Sequence, residues 1–186
     1  MGRDKAGIDV GGNSLLDRAI ERLSAVADPV ILATGASRHA HDGCLSVADA
    51  AAGRGPLGGL VAVLDITPHE LCAVVAVDMP DSAPDLLRRL AALWDGEDAV
   101  VPLSPRGLEP LHAVYSRSAL AGAEQALRSA DLSLLGLLNR LRVRHVAAAG
   151  LIGDEAAARF AANLNRPEDV TAWRAGEAAP PPPRPR

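Results

Sequence analysis

The stretch Leu-Cys-Ala-Val-Val-Ala-Val at positions 71–77, closed by Asp-Met-Pro, limits the possible folds more than any other part of the chain. Seven apolar residues stand together without a polar break, and Pro80 stops further ladder pairing because it has no backbone N–H. An uninterrupted run of this length is expected for a strand buried on both faces, which needs helices above and below its sheet.

The rest of the sequence has the matching rhythm. Ser14 can cap a helix carrying Leu15, Leu16, Ala19, Ile20 and Leu23, with Asp17 in its first turn. The runs 29–34 and 44–49 read as short strands, and a helix opens at Pro56. Pro84 opens an amphipathic helix, and 98–102, 110–116 and 142–149 are further strand candidates. Segments 118–129, 133–141, 154–163 and 167–175 read as helices. Strands alternating with helices predict an α/β fold: a doubly wound, mostly parallel sheet in three α/β/α layers. Residues 1–175 are expected to form one domain of this Rossmann-like kind, and the Pro-rich tail 176–186 is expected to be disordered.

Composition excludes several functions. Aromatic residues make up 2% of the chain, so the core must come from Ala, Val, Leu and Ile, and a base-stacking platform is not available. The net charge of −4 comes without a basic stripe, which argues against nucleic acid as partner. No apolar run reaches 18 residues, so no membrane span is expected. Cys44 and Cys72 lack metal-site spacing and are expected to be buried free thiols of a cytoplasmic protein. The five histidines form no zinc motif, and no nucleophile elbow is present. His39 and His41 are expected in a solvated loop, and His112 half-buried in a strand.

Ligands of doubly wound sheets bind outside the carboxyl ends of the strands, so residues there carry the functional argument. Asp78 leaves the 71–77 strand at such a point. It suits Mg²⁺, which takes one or two carboxylates with phosphate oxygens, and it equally suits a turn that caps the next helix. Asp49 precedes a glycine-rich loop that opens a helix at Pro56, where free N–H groups suit a phosphate. Gly55, Gly58 and Gly59 serve either that purpose or close packing of helix on sheet. Lys5 is the sole lysine, a compact point charge that fits a phosphate.

Five segments occur in a familiar order: Met1–Leu23, Val47–Leu60, Val74–Leu90, Leu108–Leu120 and Asn163–Val170. Together they resemble the MobA family of molybdenum cofactor guanylyltransferases, which pairs Met-Gly-x-x-Lys with Gly-Pro-Leu-x-Gly, Asp-x-Pro and a late Asn-x-Asn-x-Pro-Glu. The likeness covers about residues 1–173. It implies a Mg²⁺-dependent nucleotidyltransferase that moves GMP from GTP to molybdopterin and releases pyrophosphate. Molybdenum-insertion proteins or molybdoenzymes are the further partners it implies. By resemblance, Lys5 and Asp78 are the catalytic pair, with Asp78 as the metal ligand. Lys5, Asp49, Gly55 and Asp78 would hold the nucleotide, and Asn163 and Asn165 match asparagines on the molybdopterin side.

Two departures stand out. Family members carry a buried strand and a glycine-rich phosphate loop just ahead of the Met-Gly with which this chain opens. Without that strand its neighbours in the sheet are expected to expose unpaired edges. Asp81 stands where the family commonly has an apolar residue, and it is expected to add negative charge near Asp78. A cytidylyltransferase on the same fold, or a non-catalytic relative that binds the pterin or a partner, are the alternative readings.

Overall fold

The computed structural model describes residues 6–35, 41–50 and 53–176. Helix α1 (Leu15–Ser24) starts where its sequence says it should: Asp17 donates its amide to Ser14 Oγ at 3.1 Å, while Ser14 donates its own amide to Asp17 Oδ2 at 3.1 Å. This reciprocal box satisfies two of the donors that a helix start leaves open. Strands β1 (Ile31–Ala33) and β2 (Leu45–Val47) follow, then α2 (Gly55–Ile66), β3 (Leu71–Val75) and α3 (Pro84–Ala92). Next come β4 (Ala99–Ser104), β5 (Gly107–Leu108), β6 (His112–Ser116), α4 (Ala119–Leu127) and α5 (Leu134–Leu138). The chain continues through β7 (Val143–Ala147), α6 (Ala148–Ile152), α7 (Asp154–Arg159) and α8 (Pro167–Arg174).

Alternation along β4 sorts the core into two halves. Ala99 and Val101 face Leu57, Leu64 and Leu137 of α2 and α5, while Val100 faces Leu86, Leu90 and Phe160 on the opposite side. A period of two on a strand sends neighbours to opposite faces, so one strand seats both helical layers. Each fully buried leucine, such as Leu64 or Leu90, contributes about 1.5–3 kcal/mol over its exposed state. The three α/β/α layers are those expected.

Strand direction is more mixed than the expected, mostly parallel ladder. Strand β6 lies between β3 and β4 and runs antiparallel to both, and β5 is a two-residue antiparallel return on β4. Strands β3, β4 and β7 share one direction, because β7 pairs parallel with β4. The apolar composition of 110–116 shows that β6 is buried and cannot show which way it enters the sheet.

The sheet is also divided. Strands β1 and β2 form a parallel pair of their own, and β3 begins a separate five-stranded sheet. Between β1 and β3 lies a cavity of about 890 Å³ with Ile31, Leu32, Ala33, Ala73, Val74 and Val75 in its walls. Among the described residues β1 pairs with β2 and β3 with β6, so the strand flanks turned to this cavity carry no ladder.

Smaller corrections concern single residues. Cys44 and Cys72 are free as expected but half-buried rather than buried. His112 is fully buried rather than half-buried. The 142–149 run ends as a strand at Ala147 and turns at once into α6. His39 and the tail from 177 onward lie outside the described residues.

Candidate functional site

The carboxyl ends of β1, β2 and β3 meet at one rim. Thr34 and Gly35 after β1, Asp49 after β2, and Ala76 and Val77 after β3 all line the same cavity. Asp49 is anchored there, with its Oδ1 accepting the Gly35 amide at 3.1 Å. This contact joins the ends of β1 and β2. Gly35, which no sequence motif marks, is thus a rim residue.

The glycine-rich loop divides its labour. A side chain at Gly59 would place its Cβ 2.9 Å from Ala33 Cβ and 3.4 Å from Asp49 Oδ1, so Gly59 is there for close approach of α2 to β1. Gly55, with φ of +59°, has nothing within 4 Å of its would-be Cβ and also lines the cavity. Gly55 opens α2 with Pro56 behind it, leaving first-turn amides that Arg54 does not cap with its side chain. Close packing, which the sequence could not assign to one glycine, falls on Gly59, while Gly55 has open space beside it.

Asp78 follows directly on Val77 at this rim. Its carbonyl accepts the amide of Leu164 at 2.8 Å, which brings the segment Asn163–Asn165 against the turn. That segment is held from its other side: the amides of Asn165 and Arg166 both donate to Asp169 Oδ2 at 2.8 Å. Asn163 Oδ1 is buried and makes no hydrogen bond within the protein. Residues 78 and 163–165, separated by half the chain, are thereby neighbours. Lys5 lies outside the described residues; Ala6, next to it, lines the cavity.

The turn after β3 has a buried support the sequence did not advertise. His112 Nε2 accepts the amide of Ala83 at 2.9 Å, and its ring meets Phe160 edge-on at 4.8 Å. Burial lowers the His112 pKa to about 4, so the ring is neutral and acts as a fixed acceptor. Cys72, on the β3 wall, has its thiol pushed up by burial to about 11, which removes it as a nucleophile near neutral pH.

A divalent cation would find a partial site here. Among the described residues no three His, Cys, Asp or Glu side chains are gathered as a cation cage. One carboxylate at a strand end matches Mg²⁺, which keeps water and substrate oxygens among its ligands. The donor set therefore fits a cation that arrives with a nucleotide. No helix among the described residues is long and apolar enough to cross a membrane.

The three-layer α/β/α fold, with a glycine-opened helix beside the strand ends, is of the Rossmann-like nucleotidyltransferase class. Residues 1–146 match the model of the MobA-like NTP transferase domain, and the chain belongs to that family. A probable molybdenum cofactor guanylyltransferase of Pelotomaculum thermopropionicum is 33% identical over 177 residues, covering 94% of this chain and 85% of that one. One from Opitutus terrae is 37% identical over 182 residues, covering 91% and 86%. The crystal structure of molybdopterin-guanine dinucleotide biosynthesis protein A from Archaeoglobus fulgidus matches with a TM-score of 0.76 at 25% identity, covering 94% of this chain and 90% of that one.

Proposed function

We propose that this protein transfers GMP from GTP to molybdopterin, forming the guanine dinucleotide cofactor and releasing pyrophosphate. The observation that carries the reading is the junction of Asp78 with Asn163–Asn165, directly after Val77 of the cavity that Asp49 and Gly55 line, in a chain of the MobA-like family. The names borne by the relatives favour guanine over cytosine.

In this reading an oxygen of the molybdopterin phosphate attacks the α-phosphorus of GTP, and the bond to the bridging α–β oxygen breaks. The attacking phosphate is already anionic, so no strong general base is needed. Such transfers depend on placement and charge neutralisation. Asp49 and Gly55 seat the nucleotide. Lys5 neutralises charge on the phosphates, and Asp78 holds Mg²⁺, which when bound would supply further neutralisation. Asn163 and Asn165 orient the pterin-bearing phosphate. Two free thiols and a nucleoside triphosphate substrate suit a cytoplasmic site of action.

The test is direct. Purified protein is incubated with Mg²⁺, molybdopterin and either GTP or CTP, and the dinucleotide and pyrophosphate are quantified by mass spectrometry and a coupled assay. The expected result is guanine dinucleotide, with Lys5→Ala slower by about 10²-fold. Absence of product with GTP, or faster turnover of CTP, overturns the reading.

A further inference from the structure

Asp81 does not add bare negative charge beside Asp78, as its sequence position suggests. Its side chain, 15% exposed, is enclosed by donors from three parts of the chain. Trp173 of α8 donates its indole Nε1–H to Asp81 Oδ2 at 2.8 Å. The guanidinium groups of Arg18 and Arg22 on α1 lie 3.8 and 3.9 Å from Oδ1, and that of Arg159 on α7 lies 4.0 Å from Oδ2. Three guanidinium groups thus surround one carboxylate, with Glu21 also acting on Arg22.

The same arginines grip the turn backbone. Arg18 Nε donates to the Pro80 carbonyl at 2.7 Å, and Arg22 donates to the Ser82 carbonyl at 2.6 Å. The Arg18 guanidinium also sits 5.1 Å from the centre of the Trp173 ring, within range of a cation–π attraction. The turn that carries Asp78 is thus bound to α1 through its carbonyls and to α8 through Asp81. Helix α8 holds Asn165 through Asp169, and Leu164 returns the contact to Asp78. The path from Asp78 through Asp81, Trp173 and Asp169 to Leu164 is a closed loop of contacts.

We propose that Asp81 is a positioning residue that clasps α8 to the Asp78 turn and so fixes the distance between the metal-side carboxylate and the Asn163–Asn165 segment. The claim rests on the proposed function for its catalytic meaning. Its structural content stands apart from it. A carboxylate suits this place because it can accept from an indole and from guanidinium groups together, whereas an apolar residue would leave Trp173 Nε1 unpaired and the arginines without a counter-charge.

The test uses Asp81→Leu, Asp81→Asn and Trp173→Phe in the full chain, read by amide hydrogen exchange and by steady-state kinetics. Asp81→Leu is expected to speed exchange of the Leu164 amide by about tenfold or more under native conditions. It is also expected to raise KM for molybdopterin by about tenfold while KM for GTP stays within about twofold. Asp81→Asn keeps an oxygen for Trp173 and is expected to recover most of both effects. Trp173→Phe in the Asp81→Leu background is expected to add little, since both changes remove one bond. Unchanged Leu164 exchange in Asp81→Leu, or equal rises in both KM values, overturns the proposal. A wild-type protein that makes no dinucleotide refutes the functional reading and not the clasp, which Leu164 exchange then decides by itself.

Discussion

The amide of Leu164 donates to the carbonyl of Asp78 across 2.8 Å, joining residues 86 positions apart in the chain. This one bond sets the asparagine segment beside the acidic strand end. It brings two short motifs, each modest alone, side by side. Its energetic weight is about 1 kcal/mol. Its geometric weight is larger, because transfer chemistry is sensitive to displacements of an ångström.

Replacing Asp78 by Asn keeps the size and the backbone contact with Leu164 but removes the charge. Mg²⁺-dependent pyrophosphate release is expected to fall by about 10²-fold or more. Turnover equal to that of the wild type, measured at saturating GTP, would remove Asp78 from the metal site.

Gly59 and Gly55 predict opposite kinds of damage. Gly59→Ala drives a methyl into Ala33, and either the helix or the strand must move; a loss of about 1–3 kcal/mol in stability is expected from urea unfolding. Gly55→Ala meets no atom but must hold a positive φ, at a cost of about 1 kcal/mol. Both glycines lie in the cavity wall, so isothermal titration with GTP is read alongside stability: Gly55→Ala, which meets no neighbouring atom, is expected to weaken binding with little loss of stability beyond its backbone cost.

The pH dependence of stability follows from His112. Its folded pKa of about 4 lies below its ordinary 6.5, so the unfolded chain binds the extra proton first. The contribution of the neutral ring is complete above pH 6.5 and is lost progressively as pH falls toward 4, amounting to about 3 kcal/mol in all. His112→Gln keeps an acceptor for the Ala83 amide without a titrating ring. Denaturant midpoints at pH 7.5 and 5 are expected to differ less in this variant than in the wild type. An identical difference would assign the acid sensitivity to the carboxylates instead.

Cys72 reports on the wall of the cavity. With its thiol near 11, alkylation by iodoacetamide at pH 8 is expected to be about 100-fold slower than for an ordinary thiol and slower than at Cys44. Peptide mapping after timed quenching reads both rates. Equal labelling of the two would show that the β3 edge is open to solvent and reagent.

Much of the architecture was legible in local pattern. Ser14 and Asp17 announced α1 through a capping box, Pro56 and Pro84 marked helix starts, and the 71–77 run declared a strand covered on both faces. These are signals of a few residues, and their physics is local: a cap, a fixed φ, a period of two or 3.6. Family motifs likewise marked Asp49, Gly55, Asp78, Asn163 and Asn165 as a set.

Direction and proximity were settled elsewhere. An apolar strand has the same composition whichever way it runs, so the antiparallel entry of β6 depended on how the chain crosses the sheet. The division between Gly55 and Gly59 depended on how near α2 comes to Ala33. The arginines around Asp81 come from helices far apart in the chain, and charges brought within 4 Å by packing leave no periodic trace. The sequence by itself determined which segments are helices and strands and which acids stand at strand ends, because those follow from contacts among near neighbours. Tertiary structure alone decided which of these residues meet, because long-range contacts arise from the packing of whole layers.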